Sequence, residues 1–508
     1  MSISQTLILL FFFTFLPISQ PQPQSPSDVP STTVCIIGAG SGGSSVSHFL
    51  RKYSPHSTPF TKILIFERNP VVGGRMATVT IAGDTFEAGA SILHPKNLHA
   101  VNYTKLLNLK VKPPSLESNS LGIWDGNKFI FKTFKISSYD IALIDRFLKL
   151  PFIDYLVSYI VSLYNSVLLF VRYGFSLLKM QNFVESAVDK FSKYYEGDES
   201  RPIFESVDEM LKWSGLYNLT TRSLKDELVD AGLSLLLINE LITVITRINY
   251  GQSVHMSGLA GAVSLAGSGG GLWSIEGGNW QMAAGLINQS DVVLHLNEEI
   301  KSVAHVGDYY ELNSTKGNSY TCEVSVVATP LDELNIHFSP PISIPERKLQ
   351  HTYTTFVRGL LDPVYFGLKA ESKIPELVGT IEDPDLPFSS ISVLKKHNEK
   401  ESTYKIFSRQ PMADTLLDSI FSARKETIRI NWAAYPHYHA PEIFAPFILD
   451  GRHLYYVNAF ENAASTMETS CVAAENIARL ILSRYFGKVI EHSSLTPSSQ
   501  GEGGHSDL

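Results

Sequence analysis

Three glycines are spaced as G-x-G-x-x-G at Gly38, Gly40 and Gly43, a spacing suited to binding phosphate groups. The apolar run before them, TVCII at 33–37, predicts a buried strand, and the amphipathic run after them predicts a helix. In such a unit the first glycine permits a tight turn, the second lets the backbone approach a pyrophosphate, and the third lets the helix pack on the strand. The helix N-terminus at Ser41 then offers free N–H groups to the phosphates. The pattern predicts a dinucleotide site.

A second group of charged residues and glycines follows the next predicted strand, KILIF at 62–66. Glu67, at the end of this strand, is placed to bind the ribose hydroxyls of a dinucleotide. Arg68, Gly74 and Arg75 come soon after it and add backbone donors and two guanidinium groups suited to bidentate binding of a pyrophosphate. This E-R-x-x-x-x-G-G-R arrangement resembles the flavin amine oxidases and related FAD enzymes. The resemblance predicts FAD as the cofactor.

The same resemblance implies contacts to FAD from distant parts of the chain. The segment FEAGAS resembles the stretch that passes near the flavin in those enzymes, and its predicted contacts are Gly89, Ala90 and Ser91. NAFENAASTMETS at 458–470 resembles their final flavin-binding stretch, where a helix N-terminus stabilises negative charge on the reduced flavin. Ordinary packing is the alternative for this helix. The later predicted contacts are Ile300, Ala328 (in an A-T-P motif), Glu461, Thr466 and Met467.

Aromatic, histidine and acidic side chains are candidates for the chemistry itself. Tyr435, His437 and Tyr438 lie at the end of a strand-like run, and by analogy with flavin amine oxidases they face the flavin. In that arrangement His437 acts as an acid or base, toward water or toward the group that leaves the substrate. Glu276 in GLWSIEGG is a candidate to bind a substrate ammonium. The alternatives are a surface turn anchored by aromatic rings and a helix cap. His255 is expected to be a core histidine.

Several longer blocks are more particular than the glycine motifs. INYGQSVHMSGLAGAVSLAG at 248–267, GLWSIEGGNW at 271–280 and WAAYPHYHAPE at 432–442 resemble the prenylcysteine oxidase family, whose plant members are farnesylcysteine lyases. The resemblance implies that a prenylcysteine, a small amphipathic substrate, is oxidised at its thioether. A hydride leaves the first prenyl carbon for the flavin, water adds, and a prenyl aldehyde and free cysteine result. O2 then reoxidises the flavin and gives H2O2. Farnesyl and geranylgeranyl chains both stay open.

These residues require an α/β fold in which separate segments of the chain build one site. We predict an FAD-binding Rossmann-like domain of the amine-oxidase and GDI-like type (after the Rab GDP-dissociation inhibitors), interleaved with an α+β substrate domain. The predicted FAD-binding parts are 32–100, 257–330 and 442–488. The predicted substrate parts are a largely helical, membrane-facing region at 101–256 and a second part at 331–441. Residues 1–19, 20–31 and 489–508 are predicted to be a signal peptide, a linker and a disordered tail.

Composition excludes one class of partner and leaves two alternative functions open. The 508 residues include 42 Lys+Arg and 50 Asp+Glu, a formal charge of −8, and no basic cluster suggests a nucleic acid partner. Cys35, Cys322 and Cys471 are far apart in apolar segments, so we expect packed thiols, with neither a disulfide nor a metal site. An amine or polyamine oxidase is the alternative enzyme. A non-catalytic prenyl carrier of the GDI-like fold is the alternative from another class.

The leader and one internal segment bear on location. LILLFFFTFL at 7–16 has the length of a signal-peptide core, so we expect the secretory pathway, and the family implies the lysosome or vacuole. Residues 155–171 are uncharged and predict a buried or ligand-lining helix, with peripheral membrane contact or a membrane span as alternatives. Four N-x-S/T sequons are candidates for glycosylation on surface loops: Asn102, Asn218, Asn288 and Asn313.

Overall fold

A computed structural model describes residues 32–54, 60–113, 120–135, 153–197 and 201–486. The predicted signal peptide, linker and tail lie outside the described residues. The strands are β1 Thr32–Ile37, β2 Phe60–Glu67, β3 Thr78–Ile81, β4 Asp84–Glu87, β5 Val111–Lys112, β6 Leu121–Trp124, β7 Phe129–Lys132, β8 Ser274–Ile275, β9 Val293–Leu296, β10 Ile300–Val306, β11 Tyr309–Ser314, β12 Ser319–Cys322, β13 Val324–Val327, β14 His337–Ser339, β15 Leu349–Leu361, β16 Leu377–Thr380, β17 Ser390–Asn398, β18 Glu401–Ser408, β19 Phe421–Pro436 and β20 Leu454–Tyr456.

The helices connect and cover these strands. They are α1 Ser41–Tyr53, α2 Leu98–Leu106, α3 Ile153–Tyr173, α4 Ser176–Ser192, α5 Val207–Ser214, α6 Leu224–Asp230, α7 Leu235–Leu237, α8 Thr243–Tyr250, α9 Gly258–Ala266, α10 Trp280–Gln289, α11 Asp414–Ile420 and α12 Met467–Phe486. A π-helical turn, Ile238–Ile242, joins α7 to α8, so the three segments form one continuous helical stretch. Its members Leu237, Ile238 and Ile242 are buried.

A five-stranded parallel sheet in the order β20-β13-β1-β2-β9 carries the predicted dinucleotide unit. Every residue of the central strand β1 except Thr33 is buried, as expected for a strand inside a parallel sheet. Helix α1 packs against α10 and α12. The βαβ unit predicted from the glycine motif is therefore confirmed, and α12, the last helix among the described residues, packs against its helix α1.

A disulfide joins Cys35 in β1 to Cys322 at the end of β12. The expectation of three unpaired thiols is therefore wrong for two of them, while Cys471 is a free and buried thiol. The pairing was hidden because 287 residues separate the two cysteines in the sequence. They meet because β12 leads into β13, which pairs with β1 in parallel register, Val34 opposite Val324.

A seven-stranded sheet in the order β19-β15-β18-β17-β16-β6-β7 lies in the predicted substrate parts of the chain. Strands β6 and β7 come from the region predicted to be largely helical, so that prediction missed them. Each has four residues, too few to show a clear alternation alone, and β6 is held by parallel pairing to β16. A four-stranded sheet, β12-β11-β10-β14, lies beside the dinucleotide unit.

Helix α3 is mostly exposed, and the expectation of a buried helix at 155–171 is wrong. Only 11% of the stretch Leu156–Tyr173 is buried. Among the described residues, α3 is the one helix that is long and apolar enough to cross a membrane. Its end is fixed to the π-helical turn, because Arg172 Nε and Nη2 each lie 2.7 Å from a carboxylate oxygen of Glu240.

The four sequons lie on regular elements rather than on the surface loops we expected. Asn102 is in α2, Asn218 in the 3₁₀ turn Tyr217–Thr220, Asn288 in α10 and Asn313 in β11. The first three are exposed, and Asn313 is half-buried.

Candidate active site

The turn between β1 and α1 forms a cradle that is open above Gly40. Gly38 has a φ of +108°, and a Cβ at Gly43 would lie 2.0 Å from the Gly38 carbonyl oxygen, so the turn requires both glycines. A Cβ at Gly40 would have its nearest protein atom, the Gly73 oxygen, at 3.8 Å. No side chain caps the N-terminus of α1, where Ser41 begins the helix. The free helix end and the open space above Gly40 fit a pyrophosphate.

The ends of β2 and β13 complete the cradle. Glu67 is 5% exposed; its Oε2 accepts a hydrogen bond from the Ala39 N–H at 3.0 Å, and its Oε1 accepts two from Asn69. Ala328 lies on the other side, where its carbonyl oxygen would be 2.7 Å from a Cβ at Gly38. These contacts hold Glu67 and Ala328 around the first glycine, as a dinucleotide-binding role requires.

The remaining predicted residues of this region differ in their surroundings. Ile300 begins β10 and is buried, two residues beyond Glu298, whose N–H donates to the Glu67 carbonyl at 2.8 Å. Gly74 faces Gly40, and a Cβ at Gly74 would lie 3.4 Å from the Gly40 Cα. Arg68 is exposed. Gly74 thus lies at the cradle, and Ile300 lies close to the residues that contact Glu67.

The half-buried Arg75, which follows Gly74 of the cradle, and the buried Glu461 form a charge cluster with Arg347. Arg75 Nη1 lies 2.5 Å from Glu461 Oε1, and Arg347 Nη2 lies 3.1 Å from Glu461 Oε2. Burial alone would raise the pKa of Glu461, but Arg75 and Arg347 outweigh it and lower the pKa to about 2. Glu461 is therefore an anion that orients two guanidinium groups.

A cavity of about 370 Å³ begins next to this cluster. The residues predicted to lie near the flavin line it together: Gly89, Ala90, Ser91, Thr466, Met467 and the aromatic Tyr435. A second part of the lining is apolar and comes from α4 and α9, with Phe191, Leu259 and Val263. One cavity thus joins a wall predicted to face the flavin with an arm suited to a hydrocarbon chain.

Three tyrosines support the wall beside α12. The Tyr250 ring centroid lies 4.8 Å from that of Tyr435 and 5.3 Å from that of Tyr438. The Tyr438 hydroxyl accepts a hydrogen bond from the Ser465 N–H at 2.7 Å, and the Tyr250 hydroxyl donates to the Ser465 carbonyl at 3.0 Å. Burial raises the pKa of Tyr435 and of Tyr438, so both stay neutral. Tyr435 contacts the cavity, whereas Tyr438 positions the start of α12.

Of the four predicted catalytic residues, only Tyr435 lines the cavity. Like Tyr438, the remaining two, His437 and Glu276, lie outside it. His437 is exposed one residue beyond the end of β19, and its N–H donates to the Lys348 carbonyl at 2.8 Å. Glu276 is also exposed, and neither side chain lines the cavity. His255, expected in the core, is exposed, so that expectation is wrong. The described residues contain no cluster of ligands for a metal ion.

Sequence reasoning missed two charged residues that do line the cavity, Glu87 and Lys405. Lys405 is 6% exposed, and its Nζ donates to the Glu87 carbonyl at 3.0 Å and to Ser91 Oγ at 3.1 Å. Burial raises the pKa of Glu87 to about 7 and lowers the pKa of Lys405 to about 8. The sequence did hold one sign of Lys405, since a lysine lies between aromatic and aliphatic residues in the segment STYKIFS at 402–408.

The whole chain resembles proteins of one family. A family model described as prenylcysteine lyase matches residues 157–492, which is more than half of the chain. Farnesylcysteine lyase of Arabidopsis thaliana is 61% identical over 505 residues, covering 99% of this chain and 98% of that protein. The chain belongs to the prenylcysteine lyase family. Prenylcysteine oxidase 1 of Homo sapiens, another relative, is 33% identical over 489 residues and covers 90% of each chain.

Solved structures share the fold of this prenylcysteine lyase family member. Putrescine oxidase bound to putrescine has a TM-score of 0.52 at 12% identity, covering 89% of this chain and 99% of that one. Cyclohexylamine oxidase from Brevibacterium oxydans has a TM-score of 0.54 at 16% identity, covering 90% and 100%. A model of an NAD(P)-binding Rossmann-like domain matches residues 36–105. The predicted family, α/β fold and oxidoreductase class are confirmed, and the Rossmann-like cradle in this fold indicates FAD.

Proposed function

We propose that this chain oxidises prenylcysteine at the thioether and, with O2 and water, yields a prenyl aldehyde, free cysteine and H2O2. One carbon–sulfur bond breaks, the first prenyl carbon is oxidised by two electrons, and O2 is reduced by two electrons. FAD, when bound, supplies the hydride acceptor. The observation that carries the proposal is the single cavity in which an apolar arm meets the wall around Ala90, Thr466 and Tyr435.

The residues of the chain bind and orient both partners of this reaction. The α1 N-terminus and the space above Gly40 hold the pyrophosphate, and Glu67 is placed for the ribose. The start of α12 is fixed by Thr466, whose Oγ1 accepts a hydrogen bond from the Thr469 N–H at 2.9 Å, and its helix end favours negative charge nearby. The apolar arm holds a farnesyl or geranylgeranyl chain and excludes water from it.

Product analysis tests this proposal. Purified protein is incubated with farnesylcysteine, and farnesal, free thiol and H2O2 are each quantified. Equal amounts of the three products are expected. H2O2 from putrescine or spermidine but not from farnesylcysteine would support the amine-oxidase alternative instead. A protein that binds farnesylcysteine but has no flavin absorbance and gives no product would support the carrier alternative.

We also propose that α3 and its neighbours rest on a membrane surface. Val171 is 77% and Phe175 70% exposed, and Leu163 and Val167 are also exposed, so the helix presents a large apolar surface that water does not favour. Arg172 binds Glu240, and the Asn165 Nδ2 donates to the Phe134 carbonyl at 2.8 Å. Both contacts hold α3 against the protein, which favours surface contact over a span. Prenylated products partition into the same lipid phase.

Residence in the secretory pathway, with delivery to the lysosome or vacuole, is a further proposal. The Cys35–Cys322 disulfide supports it, because such bonds persist in oxidising compartments. Three exposed sequon asparagines, Asn102, Asn218 and Asn288, are the proposed glycosylation sites; Asn313 is a weaker acceptor because its Nδ2 donates to Glu311. Mass spectrometry of the secreted and glycosidase-treated protein tests the sites. A fluorescent fusion found in the cytosol would contradict the location.

A further inference from the structure

A half-buried acid, Glu87, and a buried amine, Lys405, line the cavity beside the segment predicted to lie near the flavin. Given the proposed prenylcysteine substrate, we infer that Glu87 and Lys405 form the subsite for its zwitterionic cysteine head. In this arrangement the Glu87 carboxylate binds the substrate ammonium and the Lys405 ammonium binds the substrate carboxylate. The prenyl chain then extends into the apolar arm.

Glu87 lines the cavity and has one unused acceptor. Its Oε1 accepts a hydrogen bond from the Asn279 N–H at 2.7 Å, whereas its Oε2 is buried and has no hydrogen-bond partner among the described residues. Asn279 is itself held rigidly, because its Nδ2 donates to the Ala90 carbonyl and its Oδ1 accepts from the Ile275 N–H, both at 3.0 Å. A buried oxygen without a donor is costly, so this geometry favours a ligand that carries one.

Lys405 presents the complementary donor. An ammonium has three N–H donors, and two of those of Lys405 are used by the Glu87 carbonyl and Ser91 Oγ. No direct ion pair joins Lys405 to Glu87 in the described part of the chain, so each charge remains available to a ligand. An α-amino acid carries one cation and one anion on the same carbon, which matches one free acceptor beside one free donor.

The other charged groups around the cavity are engaged or exposed. Lys96 Nζ lies 2.8 Å from Asp189 Oδ1, and the Glu468 carboxylate accepts hydrogen bonds from the His99 and Ala100 N–H groups. Lys112 is exposed. Ser91, which accepts from Lys405, belongs to the flavin-facing segment, so a head group bound there keeps the adjacent sulfur and first prenyl carbon near that wall.

Equilibrium binding to protein whose flavin has first been reduced with dithionite, kept anaerobic, tests the subsite without turnover, because a reduced flavin accepts no further hydride. The ligands are farnesylcysteine, its N-acetyl derivative and its methyl ester, which remove the cation and the anion in turn. Wild-type protein is expected to bind farnesylcysteine at least about tenfold more tightly than either derivative. Lys405→Met should lose the discrimination against the ester, and Glu87→Gln the discrimination against the N-acetyl form. Lys395→Met and Glu426→Gln, outside the cavity, are the matched controls and should keep both.

The outcomes separate this inference from the proposed function. Wild-type protein that turns over farnesylcysteine but binds all three ligands equally would overturn the inference and leave the function standing, whatever the variants do. A variant that weakens all three ligands by the same factor would indicate a structural role and would also overturn it. No turnover and no binding of farnesylcysteine would remove the function and the inference together. Flavin content and the urea midpoint show whether each variant is folded, and Lys405→Arg should restore part of the discrimination.

Discussion

Arg75 Nη1 lies 2.5 Å from Glu461 Oε1 and 2.6 Å from the Ala434 carbonyl oxygen. One guanidinium group therefore joins the first predicted FAD-binding segment, the last predicted FAD-binding segment and strand β19 of the seven-stranded sheet. Arg347 binds the other oxygen of Glu461 and also the carboxylate of Asp332, with Nε 2.6 Å from Oδ1. The segments predicted to bind the cofactor and the seven-stranded sheet are thus fixed to each other through one buried carboxylate.

Glu461→Gln is expected to lower the free energy of unfolding by about 3 kcal/mol at pH 7, because it leaves the half-buried Arg75 without its anion and leaves Arg347 with Asp332 alone. The pKa of Glu461 is lowered from its usual 4.5 to about 2. A lowered carboxyl pKa adds stability that is present above pH 4.5 and is lost as the pH falls towards 2. Urea unfolding should therefore show the difference from wild type shrinking below pH 4.5. A difference independent of pH would contradict this role, and exposed Glu333→Gln is the control.

Gly40→Ala should separate cofactor binding from folding. A Cβ at this position meets no protein atom closer than 3.8 Å, so the apoprotein should unfold at a urea concentration close to that of wild type. The methyl group would occupy the space assigned to the pyrophosphate, and flavin absorbance after purification should be lost. Gly43→Ala is the contrasting variant, because its Cβ would lie 2.0 Å from the Gly38 oxygen and should destabilise the apoprotein. Full flavin content in Gly40→Ala would refute the cradle.

The parts of the site carried by local sequence were predictable, and those created by tertiary pairing were not. Gly38, Gly40 and Glu67 lie within one βαβ unit, so spacing alone was enough to place them. Lys405 and Glu87 come from strands far apart in the sequence and meet only because the substrate sheet folds over β4. The disulfide partner of Cys35 was hidden for the same reason.

Burial was the other property that the sequence did not determine. The apolar composition of α3 is equally compatible with a core and with a membrane surface, and only its position outside the packed sheets distinguishes the two. Strand β19 ends at Pro436, between Tyr435 and His437. Tyr435 lines the cavity, whereas His437, just beyond the strand, is exposed.

The pH dependence of kcat/KM for farnesylcysteine should follow Glu87 and Lys405. Burial, opposed by the Asn279 N–H and by Lys405 and Lys112, raises the pKa of Glu87 to about 7, and burial, opposed by Glu87, lowers that of Lys405 to about 8. The ionised pair therefore exists mainly between these values, and a bell-shaped profile is expected. Glu87→Gln should remove the acid limb and Lys405→Met the alkaline limb. Unchanged limbs in both variants would contradict the subsite. The acid limb also predicts slower turnover at the pH of a lysosome or vacuole than at neutral pH.

Leu163→Glu combined with Val167→Glu should abolish flotation of the protein with anionic liposomes. Both side chains are exposed, at 55% and 50%, and replacing them puts two charges where α3 is proposed to enter the lipid interface. Because about half of each side chain is exposed, its burial in lipid is worth about 0.8–1.5 kcal/mol, and losing both contributions should weaken binding by tenfold or more. Turnover of detergent-solubilised farnesylcysteine should stay at the wild-type level, because neither residue lines the cavity. Ser166→Glu, at an exposed polar position of the same helix, is the control for charge alone. Flotation of the double variant at the wild-type level would mean that α3 does not contact the membrane.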